Sequence, residues 1–272
     1  MKKVIFTLIL SSLSVISLTL NAQDRVFAYM YGSNNLNKGM KDLEIWNTFH
    51  MGRDYLYRKL ESRFEFEIGL SNRLQTSFYI NLKQEFGEPD TLAVLSNPEF
   101  SFSNAWKVKI SDATANVLGS SLYAEYYIAP NEFELEGKVI LDKRMGAHYI
   151  DFNGIYEYEW EWETEREDDG EYETETEHES KFEFDLGYMY FLKKNWGIGL
   201  ELRNHNVVEE GELGYSAFFA GPTVSYTADR WWLLFNVLPQ VAKFKSLNPD
   251  DTWRDLTEHE MIQFRLIFAY NL

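Results

Sequence analysis

The chain has 272 residues, 45% of them hydrophobic and 17% aromatic, with no cysteine and a formal net charge of −17. Such a charge repels a phosphate backbone and excludes nucleic acid as a partner. The missing cysteine excludes a disulfide framework and thiol chemistry, and beyond Leu20 no apolar run reaches the length of a membrane helix.

Met1, Lys2 and Lys3 precede an apolar run from Val4 to Leu20, and Asn21, Ala22 and Gln23 follow with short side chains. A basic start, an apolar middle and a small-residue exit read as a secretory signal peptide over 1–22, cleaved near residue 22. No basic stop-transfer flank follows Leu20, which argues against a retained anchor. Loss of Lys2 and Lys3 makes the exported chain more acidic still. Residues 23–40 form an N-terminal segment in which Phe27–Tyr31 enters or edges the structure that follows.

From Leu43 nearly to the C-terminus, apolar and polar residues alternate with period two, the mark of strands with unlike faces. Leu60, Phe64, Phe66, Ile68 and Leu70 interleave with Glu61, Arg63, Glu65 and Glu67. After the Ser71-Asn72-Arg73 turn, Leu74, Phe78, Ile80 and Leu82 oppose Gln75, Ser77 and Asn81. The chain ends on Ile262, Phe264, Leu266, Phe268, Tyr270 and Leu272, again alternating. The pattern predicts about twelve antiparallel strands, at 41–52, 59–70, 73–84, 101–111, 118–129, 131–142, 147–163, 179–193, 195–207, 213–227, 230–244 and 258–272.

Alternation alone fits a soluble sandwich or an outer-membrane barrel, in which the apolar face turns outward. Strand length separates them. Several segments reach the about 9–11 residues that cross a bilayer at a tilt, against about five or six in soluble strands. Trp196, Trp231 and Trp232 flank turns, as an interfacial aromatic girdle requires. Mostly short links near 71–72, 112–117, 143–146, 194 and 228–229 alternate with mostly long ones near 53–58, 85–100, 164–178, 208–212 and 245–257, the short Ala129–Asn131 link being the exception. The fold expected is all-β: one closed, antiparallel transmembrane barrel over 41–272, with short periplasmic turns, longer outer loops and both ends in the periplasm.

Carboxylates occupy every second position from Glu157 to Glu167 and again from Glu171 to Glu179, around Asp168, Asp169 and Gly170. Asp-Gly is a hairpin signal, so an acidic hairpin extension is expected at 157–181. Glu159, Glu161, Glu163, Glu173, Glu175 and Glu177 are its candidate metal ligands, because Ca2+ and Mg2+ favour carboxylate oxygen. A solvated acidic loop is the plainer reading, and no EF-hand spacing is present.

The inward faces are charged. Candidate lumen residues are Glu61, Arg63, Glu65, Glu67, Lys107, Lys109, Glu125, Glu134, Glu136, Lys138, Glu201, Arg203 and Arg265, with Lys83 and Asp151 beside them. Mixed signs either line a water-filled pore or fill a narrow barrel with ion pairs. No enzyme is expected, since none of the five histidines sits in a catalytic motif. His50 or His205 orienting a serine, in a membrane lipid hydrolase, is the one enzymatic alternative.

Leu43–Met51 (LEIWNTFHM), Arg73–Leu82 (RLQTSFYINL), Ser111–Pro130 (SDATANVLGSSLYAEYYIAP) and Glu134–Lys143 (ELEGKVILDK) resemble an uncharacterised family of bacterial outer-membrane β-barrels. That family is loosely similar to outer-membrane proteins for uptake of aromatic compounds and other small molecules. The Asn-Ala-Gln exit looks like that of Bacteroidetes exported proteins. The resemblance implies the fold and the outer membrane, and points to transport; it carries no catalytic residue. The function expected is a channel or passive transporter for small solutes, preferring cations or neutral molecules. The alternative is a plugged barrel that presents an acidic ribbon to divalent cations, lipopolysaccharide bridges or a partner.

Overall fold

In a strand, successive side chains point to opposite faces, so period-two polarity sorts greasy and polar residues onto opposite sides of a sheet. A computed structural model describes residues 25–87, 97–166, 172–192, 195–209, 211–250 and 252–272. The signal segment 1–22 and the ribbon tip around Asp168 lie outside them. The strands are β1 (Lys41–Met51), β2 (Arg58–Ser71), β3 (Leu74–Phe86), β4 (Glu99–Ser111), β5 (Gly119–Ile128) and β6 (Glu132–Met145). They continue as β7 (His148–Arg166), β8 (Tyr172–Phe191), β9 (Trp196–Glu209), β10 (Glu212–Thr227), β11 (Trp231–Lys245) and β12 (Ile262–Asn271).

Each strand pairs antiparallel with its sequence neighbours, and β12 pairs with β1, so the sheet closes without an edge. Closure satisfies every ladder hydrogen bond internally, which a bilayer demands. The outer surface is apolar: Ile80 and Leu200 are each 58% exposed, and Leu43, Phe64, Phe78 and Leu186 share that face. A continuous greasy wall of this kind is untenable in water and fits hydrocarbon. Aromatic rings gather by the short turns, where Trp196 stacks edge-on against Tyr226 and Tyr226 meets Trp231. A second group, Tyr156 with Phe182 and Phe133 with Trp160, sits toward the other end.

The structure differs from the sequence expectation in two connections. The links expected to be long at 164–178 and 208–212 are mostly strand: β7 runs to Arg166, β8 starts at Tyr172, and only 210–211 separates β9 from β10. Gly211, at φ 83°, supplies the backbone turn there. The last strand begins at Ile262 rather than 258, because 252–261 folds back onto the barrel rim. Arg254 Nε donates to the carbonyl of Gln240, Asp54 N to that of Leu256, and Met261 N to that of Gly52.

Residues 25–36 turn into the lumen rather than adding a strand, and 37–40 lead out to β1. Phe27, Ala28, Met30, Tyr31 and Leu36 are buried there. This segment has no ladder partner, so inward side chains of the wall satisfy its backbone. Ala28 N and Tyr29 N donate to the two oxygens of Glu201 at 2.9 and 3.1 Å. Asn153 accepts from Tyr31 N at 2.9 Å and donates to Tyr31 O at 3.0 Å, as a strand neighbour would. Leu36 N donates to Gln75 Oε1 at 2.8 Å. Glycines make the room. A Cβ on Gly69 would lie 2.2 Å from the carbonyl oxygen of Asn37, and one on Gly187 would lie 2.3 Å from Cε of Met30.

Candidate functional site

The luminal segment closes the half of the barrel nearer the termini and leaves a vestibule open at the other end. Two adjoining cavities form it, of about 360 and 240 Å³, sharing Arg63, Glu136, Glu157 and Lys181. Parity of the strands decides which side chains enter, since all of these stand on the inward face.

The floor is aromatic and cationic. Tyr31 of the luminal segment sits 4.9 Å from Tyr123 and 6.4 Å from Trp46, ring to ring. Its hydroxyl lies 3.2 Å from that of Tyr79. Guanidinium groups lie over these rings, where the negative π-face attracts them. Arg25 is 3.7 Å from the centre of Tyr31, Arg63 is 4.1 Å from Tyr79, and Arg265 is 3.6 Å from Tyr29. Lys138, His205 and Arg203 also line this lower chamber, with Glu183 paired to Arg203 at 2.5 Å.

The mouth is acidic. Glu61, Glu125, Glu132, Glu134, Glu136, Glu157 and Glu159 line it, against Lys59, Arg63, Lys83 and Lys181. Most cations are already paired. Arg63 meets Glu125 at 2.5 Å, Lys59 meets Glu61 at 2.8 Å and Lys138 meets Glu136 at 3.0 Å. Lys181 is a hub, 3.0 Å from Glu157, 3.4 Å from Glu179 and bonded to Glu159. The carboxylates of Glu132, Glu134 and Glu159 bring ligand atoms within 4.8 Å of one another at the rim. The result is a charge gradient, negative at the entrance and positive at the floor.

The loop 252–261 borders the mouth through histidines. His50 bridges Glu61 at 2.9 Å and Glu260 at 2.5 Å. His205 Nδ1 lies 3.0 Å from His259 Nε2, and His259 Nδ1 lies 2.8 Å from Asp255. Burial works against the charged form of Glu260, yet the charge and hydrogen bond of His50 outweigh it and hold the carboxyl below its usual range. Asp255 follows the same pattern, with burial opposing and His259 prevailing. Among the described residues, the side-chain partners of His50 are Glu61 and Glu260, and that of His205 is His259.

Of the residues singled out by alternation, Glu61, Arg63, Glu125, Glu134 and Glu136 stand at the mouth, with Lys138, Arg203 and Arg265 in the floor chamber. Glu65, Glu67, Lys107 and Glu201 are buried deeper. Lys109 leaves the vestibule altogether and binds Asn34 and Asp112 by the turn end. Along the ribbon, the register sets Glu159 opposite Glu179, Glu161 opposite Glu177, Glu163 opposite Glu175 and Glu165 opposite Glu173. Glu159 reaches the rim cluster, whereas Glu175 and Glu177 are exposed; the side chains of Glu163 and Glu173 lie outside the described residues. Sequence reasoning missed Asp142, Asn153 and Gln75, which hold the luminal segment. Their inward parity was readable, but nothing in the sequence said that a peptide would lie against them.

Solved structures with this architecture are barrels of bacterial outer membranes. An outer membrane channel from Pseudomonas putida F1 is 9% identical with a TM-score of 0.58, covering 88% of this chain and 98% of its own. The β domain of the Bordetella autotransporter BrkA is 8% identical with a TM-score of 0.57, covering 87% and 100%. The KdgM porin, solved in complex with disordered oligogalacturonate, is 7% identical with a TM-score of 0.51, covering 85% and 99%. At such identities the likeness is one of fold: a closed antiparallel barrel. The sequence matches no protein of curated function. A family model matches residues 19–129 and 128–272, and the chain therefore belongs to the family of unknown function DUF6662.

Proposed function

We propose that the protein is an outer-membrane channel for small polar solutes, closed at rest by its own luminal segment and preferring cations or net-neutral molecules at its entrance. The observation that carries this reading is the surplus of carboxylates over cations around the 360 Å³ mouth. A cleft lined by one sign of charge with low-dielectric walls focuses the field and concentrates ions of the other sign. The volume suits a single small molecule. Below it, the Arg25, Arg203 and Arg265 floor repels a simple cation and accepts the negative end of a dipolar one. Passage requires residues 25–36 to move, and their hold on the wall is by side chains, polar and apolar, rather than by a strand ladder.

Planar-bilayer recording tests this reading on the purified barrel. Wild-type protein is expected to conduct rarely, with brief cation-preferring openings. Glu201→Ala, which removes the acceptor of two segment amides, is expected to open more often. Anion preference in a salt gradient, or silence of both proteins, overturns it.

The rim cluster of Glu132, Glu134 and Glu159 supports a second reading, a plugged anchor whose acidic ribbon binds divalent cations, lipopolysaccharide or a partner. On that reading, calcium protects the ribbon from protease while conductance stays absent in every variant.

A further inference from the structure

The pairing of β1 with β2 sets Asp42 opposite Glu67 and Glu44 opposite Glu65. All four point into the lumen and are no more than 2% exposed. Like charges directly opposite each other destabilise a sheet, and a carboxylate taken out of water needs a partner or a metal. The ligand oxygens of Glu44, Glu65 and Glu67 nevertheless converge, all within 4.8 Å of one another.

Two of the three are held in place by donors. Trp46 Nε1 donates to Glu44 Oε2 at 2.8 Å, and Gln75 Nε2 and Ser77 Oγ donate to Glu67 Oε1 at 3.1 and 3.0 Å. Glu65 differs. Among the described residues, neither of its oxygens has a hydrogen-bond partner, although the side chain is buried and aimed into the cluster. Arg25 is the near cation and interacts with Glu44 and Glu65 through its charge, while its guanidinium lies over Tyr31 and Trp46 and its Nη2 lacks a hydrogen-bond partner, so one positive charge faces three carboxylates.

We propose that Glu44, Glu65 and Glu67 bind one divalent cation, Ca2+ in the first instance, inside the barrel wall. Hard cations take carboxylate oxygens, and at Ca2+ distances of about 2.3–2.6 Å two opposed ligands stand about 5 Å apart. Three carboxylates within 4.8 Å thus fit around a single ion. Ca2+ tolerates irregular geometry, whereas Mg2+ demands a near-ideal octahedron and keeps several waters. Trp46, Gln75 and Ser77 orient the ligands from behind, as outer partners of metal sites do. Gln75 also accepts from Leu36 N, so the ion would help seat the luminal segment. This site is separate from the rim cluster at the mouth and does not depend on transport.

Terbium tests it, because indole sensitises Tb3+ emission at short range and Trp46 is bonded to a proposed ligand. The full barrel, folded in detergent and stripped with chelator, is titrated with Tb3+ alone. The expected result is sensitised emission that saturates near one equivalent, is displaced by Ca2+, and falls at least tenfold in Glu65→Gln and in Trp46→Phe while surviving Glu134→Gln. Emission that survives Glu65→Gln, or is lost with Glu134→Gln, places the ion at the rim and overturns the proposal. Should Glu65→Gln fail to fold, the metal content of Glu134→Gln protein refolded with CaCl2 and dialysed decides: one calcium per chain supports the site, and none overturns it.

Discussion

Ser33 meets Asp142 through two hydrogen bonds, its backbone amide donating to Oδ2 at 2.8 Å and its hydroxyl to Oδ1 at 2.6 Å. The pair joins the luminal segment to the wall in a place where neither group reaches water. Tyr149 also donates its hydroxyl to Asp142, at 2.5 Å. One carboxylate therefore satisfies three buried donors.

Asp142→Ala leaves the two Ser33 donors without an acceptor, while Tyr149 keeps Asp151 at 3.4 Å, and each buried unsatisfied group costs about 1–3 kcal/mol. For the two Ser33 donors the expected destabilisation is about 2–6 kcal/mol. Asp142→Asn keeps one acceptor and costs less. Denaturant unfolding in micelles reads the stability. Protease cleavage within 25–40 reads release of the segment, and cleavage unchanged from wild type in Asp142→Ala would show that Ser33 is held by something else.

Lys181 is the cation that permits three carboxylates to share one face of β7 and β8. Replacing it with Met keeps the stem and removes the charge. Glu157, Glu159 and Glu179 then repel one another across the ladder. The expected outcome is a higher cation-to-anion permeability ratio together with faster amide exchange in the outer halves of the two strands. An unchanged reversal potential would mean that the ratio is set elsewhere, at the Arg203 and Arg265 floor.

The loop 252–261 carries a pH dependence whose sign follows from its carboxyls. Asp255 and Glu260 are both held below their usual range in the folded chain. A group with a depressed folded pKa adds stability that is fully present above its unfolded value and is lost as pH falls through the folded one. The loop is thus expected to stay docked at neutral pH and to loosen below about pH 4, where unfolded carboxyls protonate. Proteolysis of the loop across pH 7 to 2.5, with an acid-stable protease, measures this. Asp255→Asn is expected to loosen it already at pH 7 and to flatten the profile; a steep profile in that variant would leave Glu260 and His50 as the whole cause.

How much of this was legible beforehand is clearest in particular elements. The β2 alternation of Phe64 and Phe66 with Glu65 and Glu67 read correctly as one outward and one inward face, because side-chain parity in a strand is local geometry. The same parity placed Glu61, Arg63 and Glu136 in the lumen. It did not distinguish Lys109, whose partner Asn34 comes from a segment with no strand pattern. It also left the lumen open or filled, since mixed charge on an inner face is compatible with both.

The sequence by itself determined the barrel: twelve amphipathic runs, their order and the face each presents, all dictated by period-two polarity over distances of a few residues. Only the tertiary structure decided what the barrel contains. The seating of residues 25–36, the gradient from acidic mouth to cationic floor, and the meeting of Glu44 with Glu65 and Glu67 depend on register and closure. Those bring together groups that local pattern cannot relate, because cross-strand neighbours are chosen by the pairing of whole strands and not by the residues beside them in the chain.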